Sequence, residues 1–176
     1  KLKILDCTLR DGSYVVNFMF SYTDTKNIVS ALDRIGIDYI EVGHGVGLGA
    51  SKNKFPQAAA SDEQYMIAAS ESCKNSKWGM FFIPGVGSEQ DILLGAKHNM
   101  DFIRIGVNIV DFNKTEHFIK LAKDNSMYVA VNFMKSYASK PSAFLKAAKF
   151  VSKAGADLVY IVDSVGGMLP HELTKY

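Results

Sequence analysis

The sequence is poor in cysteine, in long apolar runs and in surplus charge, and each shortage excludes a class of protein. Two cysteines, Cys7 and Cys73, occur in 176 residues. A disulfide framework needs more, and without C-x-x-C spacing or an adjacent histidine they do not suggest a metal cluster. They read as buried free thiols in a reducing compartment, so a cytoplasmic location is expected. No apolar run approaches the roughly 18 residues of a membrane span. The start, Lys1-Leu-Lys-Ile-Leu5, is strand-like and carries no signal-peptide pattern. A membrane is therefore not an expected partner. The net charge is +2 and the lysines are scattered, so no basic stripe points to nucleic acid.

What remains is the balance of a globular domain, 48% apolar and 22% charged. With no linker, low-complexity tract or composition shift, residues 1–176 read as one domain. The chain begins without methionine and stops just after Pro170, in what reads as the first turns of a helix. On that pattern it looks like a cut piece.

Six apolar runs, at 4–9, 39–42, 78–83, 102–105, 127–133 and 158–162, suit parallel strands covered on both faces. Helical periods lie between them. Ile28, Ala31, Leu32 and Ile35 share a face after a Thr23 cap, and Gly36 ends that helix. Ser61-Asp-Glu-Gln64 is a capping box, Ser88 and Ser139 are candidate caps, and Asn113-Lys-Thr-Glu116 leads into another helix. A weak repeat recurs at helix-to-strand junctions: Ile35-Gly-Ile-Asp-Tyr39, His98-Asn-Met-Asp-Phe102 and Ala154-Gly-Ala-Asp-Leu158.

This alternation allows an open doubly wound sheet or a closed barrel. Six units in 176 residues take about 29 residues each, near the spacing of an eightfold barrel. Polar and glycine residues follow almost every run, which suits a ring of barrel-mouth loops better than a single switch point. The expected fold is α/β, a parallel (β/α)8 TIM barrel truncated to about six β/α units.

The strongest chemical signal is Leu5-Asp-Cys-Thr-Leu-Arg-Asp-Gly12, where a strand delivers Arg10 and Asp11 to the mouth. An aspartate can hold a hard divalent cation, and an arginine can grip a carboxylate or an enolate oxygen. An Arg–Asp pair that only caps a strand end has the same spacing, and the residues alone leave the two readings open. Gly45-Val-Gly-Leu-Gly-Ala50 fits a dinucleotide fingerprint formally, but a polar loop follows it, so an active-site loop or a flexible turn is expected. His98, His117 and His171 read as surface or helix-end residues, and Lys135 as a solvated loop lysine. Asn17 and Asn132 stay open as substrate-orienting residues. Tyr65, Phe144 and Phe150 read as core.

Thr8-Leu-Arg-Asp-Gly12, Ile40-Glu-Val-Gly-His-Gly-Val-Gly-Leu-Gly49 and Val162-Asp-Ser-Val-Gly-Gly-Met-Leu-Pro170 occur in order. Together they resemble the metal-dependent lyase and aldolase superfamily of TIM barrels. That group includes hydroxymethylglutaryl-CoA lyase, isopropylmalate synthase and, most similar in its motifs, 4-hydroxy-2-oxovalerate aldolase. The resemblance implies a 2-oxo acid substrate cleaved to pyruvate and an aldehyde. It implies Asp11 as a ligand of Mn²⁺ or Mg²⁺ and Arg10 as the enolate stabiliser. Glu41 and His44 would face the site, and Ser164 would help to position the pyruvyl end.

Two departures qualify it. Tyr14 stands where the aldolases carry a histidine base, and a phenol is a poor base near neutrality. The family's His-x-His metal ligands belong to a seventh strand that this sequence does not reach, so little or no metal is expected in this piece alone. An acyl-CoA Claisen-type enzyme, or a degenerate barrel kept as a scaffold, are the competing expectations. Open barrel edges at the first and sixth strands would favour self-association.

Overall fold

A computed structural model describes residues 2–176; the Lys1 start of the first strand-like run lies outside the described residues. Six strands, β1 (Leu5–Asp6), β2 (Tyr39–Val42), β3 (Lys77–Phe82), β4 (Phe102–Asn108), β5 (Tyr128–Met134) and β6 (Leu158–Ile161), form one sheet. Each pairs in parallel with its sequence neighbour, in the order β1-β2-β3-β4-β5-β6. Right-handed crossovers in that order put every connecting helix on one face. These are α1 (Tyr22–Arg34), α2 (Asp62–Ser72), α3 (Glu89–Lys97), α4 (Glu116–Asp124) and α5 (Pro141–Ala154), with a short α6 (Pro170–Leu173) after β6.

The period-2 alternation of a strand then divides the residues between two environments. Ile40, Val42, Met80, Phe82, Ile103, Ile105, Val129, Val131 and Phe133 are fully buried under the helices. The alternate residues Glu41, Phe81, Arg104, Asn132 and Tyr160 occupy the other face. That face is curled. Arg104 on β4 bonds the Cys7 sulfur beyond β1 at 3.3 Å and Glu41 on β2 at 3.0 Å, and its guanidinium lies 5.1 Å from the Tyr160 ring centroid on β6. In a flat sheet β1 and β4 are three spacings apart, about 14 Å, beyond one side chain's reach. The structure is therefore α/β, six units of a TIM barrel.

The junction repeat has a mechanical role. Asp38, Asp101 and Asp157 each precede an even-numbered strand, and each accepts from a backbone N–H at the start of its odd-numbered neighbour. The donors are Ile4, Trp78 and Val129, at 3.0, 3.1 and 2.7 Å. The repeat thus stitches strands in pairs at the barrel's lower rim, where Lys77 and Lys123 also pair with Asp101 and Asp157.

Several local expectations need correction. The 4–9 run gives a strand of two residues, because the Cys7 carbonyl accepts from the N–H groups of Arg10, Asp11 and Gly12 and so starts a 3₁₀ turn, Asp11–Tyr14. Helix α1 is capped by Ser21 in a capping box with Asp24, not by Thr23. Its buried stripe is Thr25, Val29 and Asp33, while Ala31 and Ile35 are exposed. Asp33 is inside because its carboxylate receives the N–H groups of Lys74, Asn75 and Ser76 ahead of β3. Burial pushes that carboxyl up, and these donors outweigh it, holding it below the usual range. Helix α5 starts at Pro141 with Lys140 as its N-cap, not Ser139. Among the described residues no helix is long and apolar enough to cross a membrane.

Two stretches of apolar surface flank the open side of the sheet, Leu2 and Ile4 beside β1, and Leu158, Val165, Leu169 and Leu173 around β6.

Gly106 on β4 tests the inner packing. A Cβ there would sit 2.2 Å from the Phe81 ring, so the ring needs a glycine opposite it. Gly106→Ala is expected to lower unfolding free energy by about 1–3 kcal/mol, the usual penalty of overpacking. Urea denaturation checks this, and Phe81→Leu in the same chain should recover part of the loss.

Candidate active site

The C-terminal ends of the strands converge on a cavity of about 430 Å³. Arg10, Asp11 and Tyr14 reach it from the turn after β1, Gly45 and Val46 from the loop after β2, and Arg104, Asn132 and Ser164 from farther round the curl. Two guanidinium groups meet here, with the Asp11 carboxylate on the rim and Glu41 beneath to offset their charge, and their remaining N–H donors suit a ligand that accepts hydrogen bonds.

Glu41 lies beneath this floor with no exposed surface. One of its oxygens, Oε2, accepts from Arg10 Nε at 2.6 Å and from Arg104 Nη1 at 3.0 Å. Its other oxygen is buried with no hydrogen-bond partner among the described residues. Arg10 also donates from Nη1 to Asp11 at 2.7 Å. Burial opposes the charge on Arg10, but Glu41 outweighs it and holds the guanidinium above its usual value. The Phe81 ring stacks against both cations, 4.7 Å from the Arg10 guanidinium carbon and 5.5 Å from that of Arg104. Arg10 is thus fixed on three sides, by Glu41, Asp11 and Phe81.

Arg104 is the residue that sequence reasoning missed. The available signal was a charged side chain inside the apolar run at 102–105. Cys7, read above as a bland thiol, lines the cavity. Burial and the Glu41 carboxylate push its thiol up to about 11, against the pull of both arginines. It stays protonated at neutral pH. Asn132 is buried, and its side-chain oxygen faces Arg104 Nε at 3.4 Å.

The remaining candidates divide. Ser164 lines the cavity and accepts the Lys135 backbone N–H at 3.0 Å, tying the loops after β5 and β6 together. Lys135 itself is exposed, as is Asn17. His44 differs from the expectation that it would face the site. It is buried, Val46 N–H donates to its Nδ1 at 3.0 Å, and its Nε2 lies 2.9 Å from the Pro56 carbonyl. That pairing fixes the proton on Nε2 and leaves no nitrogen free for a substrate. The glycine loop is not a flexible turn. It is largely buried, and Gly49 N–H on Asp62 and Lys52 on Asp91 pin it to α2 and α3. His98 and His117 pair with Glu63 and Glu89 away from the mouth, and His171 is exposed.

Among the described residues no three acidic, cysteine or histidine side chains gather to hold a metal ion. Asp11, with its side chain two-thirds exposed, is a single oxygen donor and not a complete site.

Fold and site define a parallel β/α barrel unit whose mouth carries two arginines around one small cavity. The HMGL-like family profile matches residues 1–176, and the chain belongs to that family. It is 39% identical to a 4-hydroxy-2-oxovalerate aldolase of Carboxydothermus hydrogenoformans, over 98% of this chain and 52% of that protein. It is 36% identical to an oxaloacetate decarboxylase of Mycobacterium tuberculosis, over 98% and 51%. The chain therefore spans about half the length of these relatives. The N-terminal domain of an aldolase-like protein from Bacteroides vulgatus superposes with a TM-score of 0.77 at 28% identity, covering 98% of this chain and 58% of that one. The carboxyl transferase domain of Rhizobium etli pyruvate carboxylase reaches the same TM-score at 15% identity, covering 98% and 32%, which shows a shared fold alone.

The charge cluster makes a stability prediction. Removing one member of a buried ion network strands the rest, at about 3–5 kcal/mol. Glu41→Gln is expected to cost that much in urea denaturation, leaving two buried guanidinium groups against a neutral amide. Glu41→Gln combined with Arg104→Met should cost less than Glu41→Gln alone.

Proposed function

We propose that the complete protein is a carbon–carbon lyase acting on 2-oxo acids through a pyruvate-type enolate. The observation that carries this reading is the Arg10 guanidinium, fixed by Glu41 and Phe81 and aimed into a small cavity with a second arginine behind it. Breaking a carbon–carbon bond beside a ketone puts negative charge on the ketone oxygen. A preorganised cation at that oxygen lowers the barrier and needs no reorganisation as the charge appears. Retro-aldol cleavage of a 4-hydroxy-2-oxo acid to pyruvate and an aldehyde is one route to the enolate, and it is the activity named for the C. hydrogenoformans relative. Loss of CO2 from a 2-oxo dicarboxylate is another, and the M. tuberculosis relative is named for it. Arg10 meets the same need in both. Ser164, which lines the cavity and accepts the Lys135 backbone N–H, would receive the pyruvyl carboxylate in this reading.

Asp11 in this reading is one ligand of an Mn²⁺ or Mg²⁺ ion whose further donors come from outside these residues. The ion supplies additional positive charge at the enolate when bound. The 176-residue chain alone is accordingly expected to bind Mn²⁺ only weakly, because Asp11 is a single oxygen donor. Electron paramagnetic resonance titration measures this, and micromolar binding by the isolated chain would contradict it. The isolated chain is also expected to lack turnover.

The activity test uses the complete protein. Arg10→Ala is expected to lower kcat on its 2-oxo acid by about 10²–10³, the loss typical of an oxyanion donor. Asp11→Asn should lower it as well. Turnover unchanged in both variants would end the proposal.

The apolar edges beside β1 and β6 supply a second expectation, for the isolated chain. Unpaired strand edges flanked by apolar side chains invite pairing with another copy. Sedimentation velocity should show association that rises with concentration. A monomer throughout would mean that the edges are blunted.

A further inference from the structure

Tyr14 is held with unusual care for a half-exposed residue. Its ring lies against Gly45, where an added Cβ would come within 2.6 Å of it. Phe18 meets it edge-on at 5.0 Å and stacks on His44 at 4.1 Å, with 14° between the planes. To reach that stack the backbone takes positive φ at two consecutive residues, 51° at Asn17 and 62° at Phe18. Such a conformation is strained for a bulky residue, and strain of this kind collects where function needs a fixed geometry. His44 anchors the far end, with both ring nitrogens engaged. The Tyr14 hydroxyl has no hydrogen-bond partner among the described residues, and the side chain lines the cavity beside Arg10 and Asp11.

The proton inventory of the cavity leans one way. Burial, with Asp11 adding to it, pushes the Tyr14 phenol up against the pull of Arg10. The Cys7 thiol is likewise protonated at neutral pH, and Asp11 is committed to Arg10. Among the described cavity residues, then, the mouth presents proton donors and two cations, with no nitrogen base. Retro-aldol cleavage must remove a proton from a hydroxyl. Loss of CO2 from a 2-oxo acid with a carboxylate on the neighbouring carbon removes none, and needs only charge stabilisation followed by a proton delivered to carbon.

We propose that Tyr14 is the proton donor of this site and that its substrate is a 2-oxo dicarboxylate cleaved by decarboxylation, a statement that rests on the enolate reading above. The bond between C3 and the C4 carboxylate breaks, CO2 leaves, and the electron pair becomes the C2–C3 double bond as charge moves to the C2 oxygen beside Arg10. The Tyr14 O–H then gives its proton to C3, the ketone re-forms, and the phenolate takes a proton from water. The balance is a dianion and one proton giving a 2-oxo monoanion and CO2.

The test compares oxaloacetate with 4-hydroxy-2-oxopentanoate on the complete protein with Mn²⁺, subtracting the metal-only rate. The wild type is expected to favour oxaloacetate in kcat/KM by at least about tenfold. Tyr14→Phe keeps the ring on Gly45 and removes only the acid, so kcat should fall by about 10²-fold. A second readout follows the proton itself. Stereospecifically 3-tritiated oxaloacetate in D2O should give pyruvate with a methyl group of one chirality from the wild type and a racemic methyl from Tyr14→Phe. Unchanged rate and chirality in Tyr14→Phe, or equal efficiency on the two substrates, would overturn the assignment. If Arg10→Ala abolishes turnover while Tyr14→Phe does not, this inference alone fails. If Arg10→Ala turns over normally, the enolate reading fails with it.

Discussion

A single buried carboxylate organises the functional end of this molecule. Glu41 has no contact with solvent, and it holds one guanidinium from the turn after β1 and another from β4. Neither cation would sit at the barrel axis without it, because a charge inside a protein persists only where a partner offsets its lost hydration. The network contributes little net stability by itself. What it fixes is geometry: two positive groups at a small cavity, both over the Phe81 ring that Gly106 makes room for.

That arrangement accounts for where the candidate site lies. Strands in sequence order with helices on one side leave the other face to curl inward, which brings Glu41, Arg104 and Asn132 together from β2, β4 and β5. The upper end of the curl, where loops are free to carry function, holds the candidate site. The lower end is closed by a different device, the aspartates that stitch β1 to β2, β3 to β4 and β5 to β6. Stability and chemistry are thus kept at opposite ends.

Much of this was legible in the residues. The six strands, their parallel character and the mouth position of Arg10 and Asp11 follow from apolar periodicity and from where polar residues punctuate it. The three junctions that end in Asp38, Asp101 and Asp157 were visible as a repeat, but their meaning was not, since a hydrogen bond to the neighbouring strand is a long-range fact. Arg104 was hidden for a similar reason. A charged residue in an apolar strand signals something buried and paired, but its partner, Glu41, lies 63 residues away in sequence. His44 misled in the opposite direction. A histidine in a glycine-rich loop after a strand suggests chemistry, while the fold uses it as a stacking surface for Phe18, which sequence spacing cannot reveal.

In the proposed reaction Arg10 is preorganised for an enolate rather than for a ground-state keto acid. Oxalate, a planar dianion shaped like the pyruvate enolate, reports that preference directly. Isothermal titration of the complete protein at fixed free Mn²⁺ should show oxalate binding at least about 10²-fold more tightly than pyruvate, as expected of a reactive-state mimic. That preference should shrink in Arg10→Ala. Equal affinity for the two ligands, or a preference untouched by Arg10→Ala, would contradict the account.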